Sequence, residues 1–333
     1  MKLTDELTSV IVDAASLAPS IHNSQPWQFQ VSDGELRLHG MPERALWVSD
    51  PSARALYISC GAALFNARLA ARAAGIDCNV AHLPHPQYSF DVLAVMRARG
   101  RYLPSAGDLR LYESIGKRHT DRRPFSARHI PRLLMAGMRK AAEAEGARLR
   151  PLGRPDTAAV LDLAAEAGRE LAADRAHQDE LRAWLKDDAK DGIPGWALPV
   201  APQHIPAPVR DADYLAAAGR SGGARAVYER QPQLAVLTTA QDEPEDWLRA
   251  GEALQHVLLV ATLNGVSASF LYQVIEWEDM RENRKRSWPW PENPQMIIRF
   301  GYGAGTIPAP RRSSAEVLEP AERCELSAMT PMQ

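Results

Sequence analysis

Cysteine is scarce in this chain of 333 residues. Cys60, Cys78 and Cys324 are odd in number and widely spaced, so they match neither a zinc-ligand pattern nor a disulfide framework. Lysine is scarce too, since arginine supplies most of the 39 basic residues, a bias that GC-rich codon usage explains before function does. An excess of either charge is missing: 39 basic against 41 acidic side chains leave a formal net charge of -2. Such a balance excludes holding a nucleic-acid duplex by phosphate neutralisation alone, so any anion site must be local. No apolar run reaches the roughly 18 residues of a membrane-spanning helix. The opening MKLTDELTSV has acids where a secretory signal needs an apolar core, so a cytoplasmic protein without a membrane partner is expected. No GxxxxGK[ST] loop occurs, and Gly301-Tyr-Gly-Ala-Gly305 lacks the spacing and following helix of a dinucleotide fingerprint. No nucleophile triad, paired carboxylates or metal cluster is recognisable, so no catalytic side chain and no metal are expected.

What is present reads as an ordinary folded chain, 45% hydrophobic and 24% charged, with the length of two domains. Leu3, Leu7, Val10, Ile11, Ala14 and Ala18 share one helical face and predict a helix over 3–18, stopped by Pro19. Trp27, Phe29 and Val31 alternate as a strand, and Ser32-Asp33-Gly34 turns it into a hairpin with Leu36 and Leu38. Further helices are expected over 54–74, over 109–118 with Asp108 as cap, over 131–146, 156–190 and 246–264. Strands are expected around Val92 to Met96, over 233–239, and at Met296, Ile298 and Phe300 up to Gly301. Residues 192–208, with five prolines and two glycines, predict a long loop without regular structure.

An internal echo runs through this layout. Gly61-Ala-Ala-Leu64 opens a helical stretch that ends at Gly75, and Gly251-Glu-Ala-Leu254 opens one that ends at Gly265, each 14 residues on. A polar stretch and an alternating strand follow both times. Two copies of one fold account for that order better than two unrelated Ala-rich helices do.

Three segments are rich in chemistry. Ser20, His22, Asn23, Ser24 and Gln25 crowd between Pro19 and Pro26, and mixed donors and acceptors of this kind suit a flat heterocycle. Such residues also serve turns. Arg118, Arg122 and Arg123 lie within six residues, with His119 and Thr120 between them. Arginine forks donate well to phosphate oxygens, although a basic run can equally cap a helix C-terminus. Arg311 and Arg312 follow Pro308-Ala-Pro310 and offer a second basic pair.

The residues of 18–29, Ala-Pro-Ser-Ile-His-Asn-Ser-Gln-Pro-Trp-Gln-Phe, resemble the APSxxNxQPWxF signature of the flavin-dependent nitroreductase superfamily. Arg118-His-Thr-Asp-Arg-Arg-Pro-Phe125 resembles that superfamily's phosphate-binding RxSxR segment, and the order of the two resembles the Acg-like group. The likeness spans nearly the whole chain, including ISCGAAL, RAGEALQHVLL and the final PAPRR. It implies an α+β, nitroreductase-like fold of two tandem pseudo-repeats. Each would have a mainly antiparallel sheet flanked by helices, arranged as a single-chain pseudo-dimer. The halves would be 1–105 and 106–333, with 191–210 as a Pro-rich lid. Ordinary members dimerise around FMN and carry both motifs in one subunit. Here each half keeps the motif the other lacks, which implies one composite FMN site and a monomer.

Residue by residue, the resemblance implies that Arg118, His119, Thr120 and Arg122 hold the FMN phosphate, helped by Arg311 or Arg312. Pro19, Ser20, Asn23 and Gln25, with His22 in the same group, would line the ribityl chain and a ring edge. Ser267 and Ser269 lie in the stretch 267–271 that follows the ring in the family, although the family's Pro-x-Glu-Gly pattern is missing. Gln273 and Glu276 fit plain surface groups as well as site residues. Trp196 would stack on the ring or anchor the lid to its own domain. The implied activity passes hydride from NAD(P)H to nitroaromatic or quinone-like acceptors. The alternative is an FMN-sequestering protein with a closed lid.

Overall fold

The first helix forms as α1 (Asp5–Ser16), with Thr4 accepting from the Leu7 amide and Asp5 and Glu6 placed where the helix dipole favours acids. The computed structural model describes residues 4–32, 34–84, 92–210, 212–220, 225–276, 291–305 and 308–319. Residue 3, Asp33 of the hairpin turn and Cys324 therefore lie outside the described residues. Strands β1 (Trp27–Ser32) and β2 (Glu35–Gly40) pair as the expected hairpin, and Gly34 takes the left-handed φ of 79° that the turn requires. Helix α2 (Arg54–Ala73) follows, then β3 (Ile76–His82) and β4 (Ala94–Arg101).

The second half runs α3 (Ala106–Glu113), α4 (Arg132–Ala144), β5 (Arg148–Pro151), α5 (Arg154–Ala173) and α6 (Arg175–Ala183). It continues with β6 (Ala201–Pro202), α7 (Ala212–Ala217), β7 (Arg225–Ala226), β8 (Gln233–Thr239), α8 (Pro244–Leu263), β9 (Ser267–Phe270) and β10 (Asn293–Gly301). Short β11 (Leu318–Glu319) closes the described chain. Three expectations change. Helix α3 starts earlier than Asp108, because Ser105 is the cap and Asp108 closes a capping box from its third position. The long helix over 156–190 is two, since Asp174 leaves the helical region and caps α6 through the His177 amide. The Pro-rich segment contains a helical turn at Gly195–Ala197 and pairs β6 with β7, so its prolines sit at a sheet edge rather than exclude pairing.

The strands build two main sheets, ordered β11-β1-β2-β4-β3 and β5-β8-β10-β9. Setting β11 aside, the four-strand orders match, and every neighbouring pair in both is antiparallel. In sequence, α1 precedes β1 as α4 precedes β5, and α2 and α8 each enter after the second strand of their set. The fold is α+β with two tandem pseudo-repeats. The copies differ most between the first two strands. A two-residue turn joins β1 to β2, whereas α5, α6, β6, α7 and β7 are all inserted between β5 and β8.

The repeats share one apolar core that runs from α1 and the first sheet through α2 and α8 to the second sheet. Gly61 and Gly251, the two positions of the sequence echo, face each other where α2 crosses α8. A Cβ on Gly61 would lie 2.0 Å from the Leu248 carbonyl oxygen, and one on Gly251 2.0 Å from that of Ile58. No residue with a side chain fits that approach, so both positions demand glycine. The last described segment returns to the first half: Leu318 pairs with Phe29, in parallel, which carries Arg311 and Arg312 to the loop after α1. Among the described residues no helix is long and apolar enough to cross a membrane.

Candidate functional site

The loop after α1 is built on an uncommon backbone. His22, Asn23 and Gln25 have φ of 46°, 56° and 50°, a left-handed region costly for side-chain-bearing residues and often held at functional sites. Surrounding bonds fix it. Ser20 Oγ accepts from the Gln25 amide at 3.0 Å, and Ser59 Oγ, on α2, accepts from the Ile21 amide at 3.3 Å. Asn23 Nδ2 donates to the carbonyls of Gly192 and Pro310 at 3.0 and 3.1 Å. Gln25 is fully buried; its Nε2 donates to Lys190 O at 2.9 Å and its Oε1 accepts from the Arg312 amide at 2.8 Å. The loop thus ties the insertion and the C-terminal segment to the first repeat.

The arginine segment leaves α3 through a helical turn at Ile115–Lys117 and reaches β9, where Thr120 bridges Ala268 and the Asp121 amide donates to Ala268 O at 2.9 Å. Its three arginines part ways. Arg123 is neutralised by a bidentate pair with Asp121, both contacts at 2.9 Å. Arg122 donates to Ala197 O at 3.3 Å and lies 5.7 Å from the Tyr214 ring centroid. Arg118 is 4% exposed, and among the described residues its guanidinium makes one hydrogen bond, a long one of 3.5 Å, to Leu17 O. Arg311 comes beside it and bonds neutral carbonyls, those of Pro310 at 2.9 Å and Ala18 at 3.3 Å. Nε of each is buried and has no partner among the described residues.

Burying cations without a counter-charge has a visible effect. Burial and the neighbouring Arg311 push the Arg118 guanidinium down to about 9, and burial pushes Arg311 down to about 10. Burial, Arg118 and Arg311 push His119 down to about 4. These three groups open into one basic chamber of about 790 Å³, with Asn23 and Trp196 on its walls. At Pro19, Ser20, Thr120 and Arg122 it meets a second chamber of about 820 Å³. That one is apolar and aromatic, lined by Ile58, Leu254, Phe270, Tyr272 and Met296, with Tyr214 and Arg210 from the insertion opposite.

The sequence-derived candidates divide between the chambers and their supports. Pro19, Ser20, Asn23, Arg118, His119, Thr120, Arg122, Arg311 and Trp196 line the basic chamber, and His22 and Ser269 line the apolar one. Gln25 and Arg312 line neither: both are spent on the tie between segments, Arg312 also donating to Glu316 O at 2.8 Å. Ser267 lies on β9 outside both linings. Ser269 Oγ accepts from the buried Arg299 at 3.2 Å. Gln273 and Glu276 are not surface groups; each is 2% exposed, and Glu276 pairs with Arg210 at 2.7 Å. Arg210, Tyr214, Tyr272 and Met296 went unforeseen. Arg210 ends the expected lid and Tyr214 follows it without a motif, while Met296 was expected only as a strand residue and no pattern marks Tyr272.

Two matched repeats with one basic-to-apolar cavity between them define a duplicated α+β protein with a composite anion and aromatic site. No family model matches the chain. It is 30% identical over 305 residues to the Mycobacterium tuberculosis protein named "Putative NAD(P)H nitroreductase acg", covering 90% of each chain. A second protein of that organism with the same type of name, Rv3131, is 29% identical over 321 residues, covering 94% of this chain and 91% of that one. Among solved structures, the FMN- and NADPH-dependent nitroreductase NfnB from a Sphigopyxis strain aligns at 16% identity with a TM-score of 0.40, over 63% of this chain and 97% of its own. The chain belongs to the Acg-like group of the nitroreductase superfamily.

Proposed function

We propose that the chain binds one FMN across the two chambers and uses it to pass hydride from NAD(P)H to a nitroaromatic or quinone-like acceptor. The observation that carries this reading is Arg118, a buried cation facing a chamber whose one lining carboxylate among the described residues, Asp121, is taken by Arg123. A phosphate is the ligand such a group lacks, since its oxygens accept both orphaned donors and supply the missing charge. The fit extends to the second chamber, whose apolar and aromatic walls suit a flat ring system. FMN, when bound, supplies reversible hydride transfer.

The chain's own groups then have separable duties. Arg118, His119 and Arg311 bind the phosphate, and Thr120 and Ser20 flank the passage to the ring. Pro19 and Asn23 border the ribityl chain, while Ser269 and the β9 backbone lie along the ring. Gln25 and Arg312 position this set without touching it. Residues 191–210 roof the cavity and exclude water, with Trp196, 51% exposed, at the mouth. The halves 1–105 and 106–333 act as one unit, because the site draws on both. A duplicated chain supplies its own second half, so it works as a monomer.

The test is spectroscopic. Purified protein should be yellow or become so with FMN, and NADPH should bleach it without oxygen. Arg118→Ala combined with Arg311→Ala should release the flavin; retention in that double variant overturns the phosphate assignment. A second reading, flavin storage with little turnover, is favoured by the bonds that close Gly192 and Lys190 onto Asn23 and Gln25. Bleaching by dithionite but not by NADPH would select it. A light-scattering mass near twice 36.7 kDa would contradict the monomer.

A further inference from the structure

The apolar chamber has an unusual distribution of charge. Among the described residues that line it, the charged side chains are Arg122 and Arg210, and no carboxylate joins them. Tyr214 sits between the two, its ring centroid 5.7 Å from the Arg122 guanidinium and 5.3 Å from that of Arg210. The hydroxyl of Tyr214 meets His22 Nδ1 at 3.2 Å, which locks the roof onto the loop after α1. Behind the wall, Glu276 holds Arg210 at 2.7 Å and is itself 3.7 Å from His177 Nδ1. Glu276 does not line the chamber. Arg122 makes no ion pair among the described residues. Among the described residues, setting Glu276 against Arg210 leaves Arg122 as the remaining cation of the wall.

We propose that this chamber selects flat aromatic acceptors bearing a carboxylate or a comparable anionic substituent, with Arg210 as the specificity-determining residue. The proposal rests on the FMN reading, in which an acceptor would stack against the bound flavin. Phe270, Tyr272 and Met296 match an aromatic plane. A neutral acceptor gains that contact alone. An anionic one adds charge-assisted bonds in a site shielded from water, where they exceed their value in solvent. Glu276 fixes the direction of the Arg210 fork, so little side-chain freedom remains to be lost on binding. A cationic wall that served the flavin alone would be indifferent to the acceptor's charge.

The experiment uses two probes of one shape, 4-nitrobenzoate and 4-nitrobenzamide. Oxidised holoprotein, first shown to hold FMN by its spectrum, is titrated with each at pH 7 without any electron donor, and the flavin absorbance shift gives Kd. The expected result is a carboxylate Kd lower by about tenfold, the scale of one charge-assisted contact. Arg210→Gln should bring the two values together, and Arg210→Lys should keep part of the difference. Equal Kd values in the wild type, or a difference unchanged by Arg210→Gln, would overturn the proposal. The wild-type comparison stands even if the variants fail to fold. Protein that never takes up FMN would instead defeat the flavin reading beneath it.

Discussion

Gly61 of α2 and Gly251 of α8 lie against each other across the centre of the molecule, each Cα within 3.0 Å of where a Cβ on the other would stand. The two positions are equivalent in the repeats, so the contact sits on the local pseudo-symmetry axis. Gly61→Ala and Gly251→Ala should each destabilise the fold by about 3 kcal/mol, the upper range for overpacking against backbone. Urea unfolding measures this; a loss under about 0.5 kcal/mol, typical of surface sites, would contradict the geometry.

A charged cluster braces the same helices further along. Glu252, 1% exposed, contacts Arg68 and takes His82 Nε2 at 2.7 Å, while Arg68 also meets Glu145 at 2.8 Å. Glu252→Ala leaves His82 without its carboxylate and Arg68 with Glu145 alone, and should cost about 3 kcal/mol, the low end for a broken buried pair. Thermal unfolding of the variant against wild type tests this, with Glu145→Ala expected to cost less because Glu252 still holds Arg68.

Acid should weaken the flavin-free protein in two stages. His119 is held near 4 in the fold against an ordinary 6.5, so the unfolded chain binds the extra proton between those values. Stability from this group is complete above pH 6.5 and declines as pH falls toward 4. Burial opposes ionisation of Glu145, but His256 and Arg68 outweigh it and hold the carboxyl near 2. Its contribution is complete above 4.5 and is lost as pH falls toward 2. His119→Gln should flatten the first stage of a stability–pH curve and leave the second; an unchanged first stage would refute the assignment.

Asn23→Ala removes the side-chain bonds to Gly192 and Pro310, each worth about 1 kcal/mol. Hydrogen exchange should accelerate in residues 190–198 and 308–312, and FMN should dissociate faster. Protection unchanged in both segments would show that other contacts hold them.

Much of the architecture was written locally. The apolar faces of α1 and α8, the alternating strands and the paired glycine-to-glycine helices were readable because their spacing follows from the chain's own periodicity. The loop of Ser20 to Gln25 and the arginines of 118–123 were also legible, as polar clusters between proline and helix boundaries. Sequence alone could not say which of those arginines stays without a counter-charge. Asp121 takes Arg123, while Arg118 meets Arg311 across a sequence separation of 193 (311 − 118), a convergence that β11 pairing with β1 creates. Tertiary structure likewise turned Gln25 and Arg312 inward as ties, buried Glu276 beneath Arg210, and set Tyr214 over the cavity. Those outcomes depend on which distant segments touch, and long-range packing decides that where no local period or turn signal can.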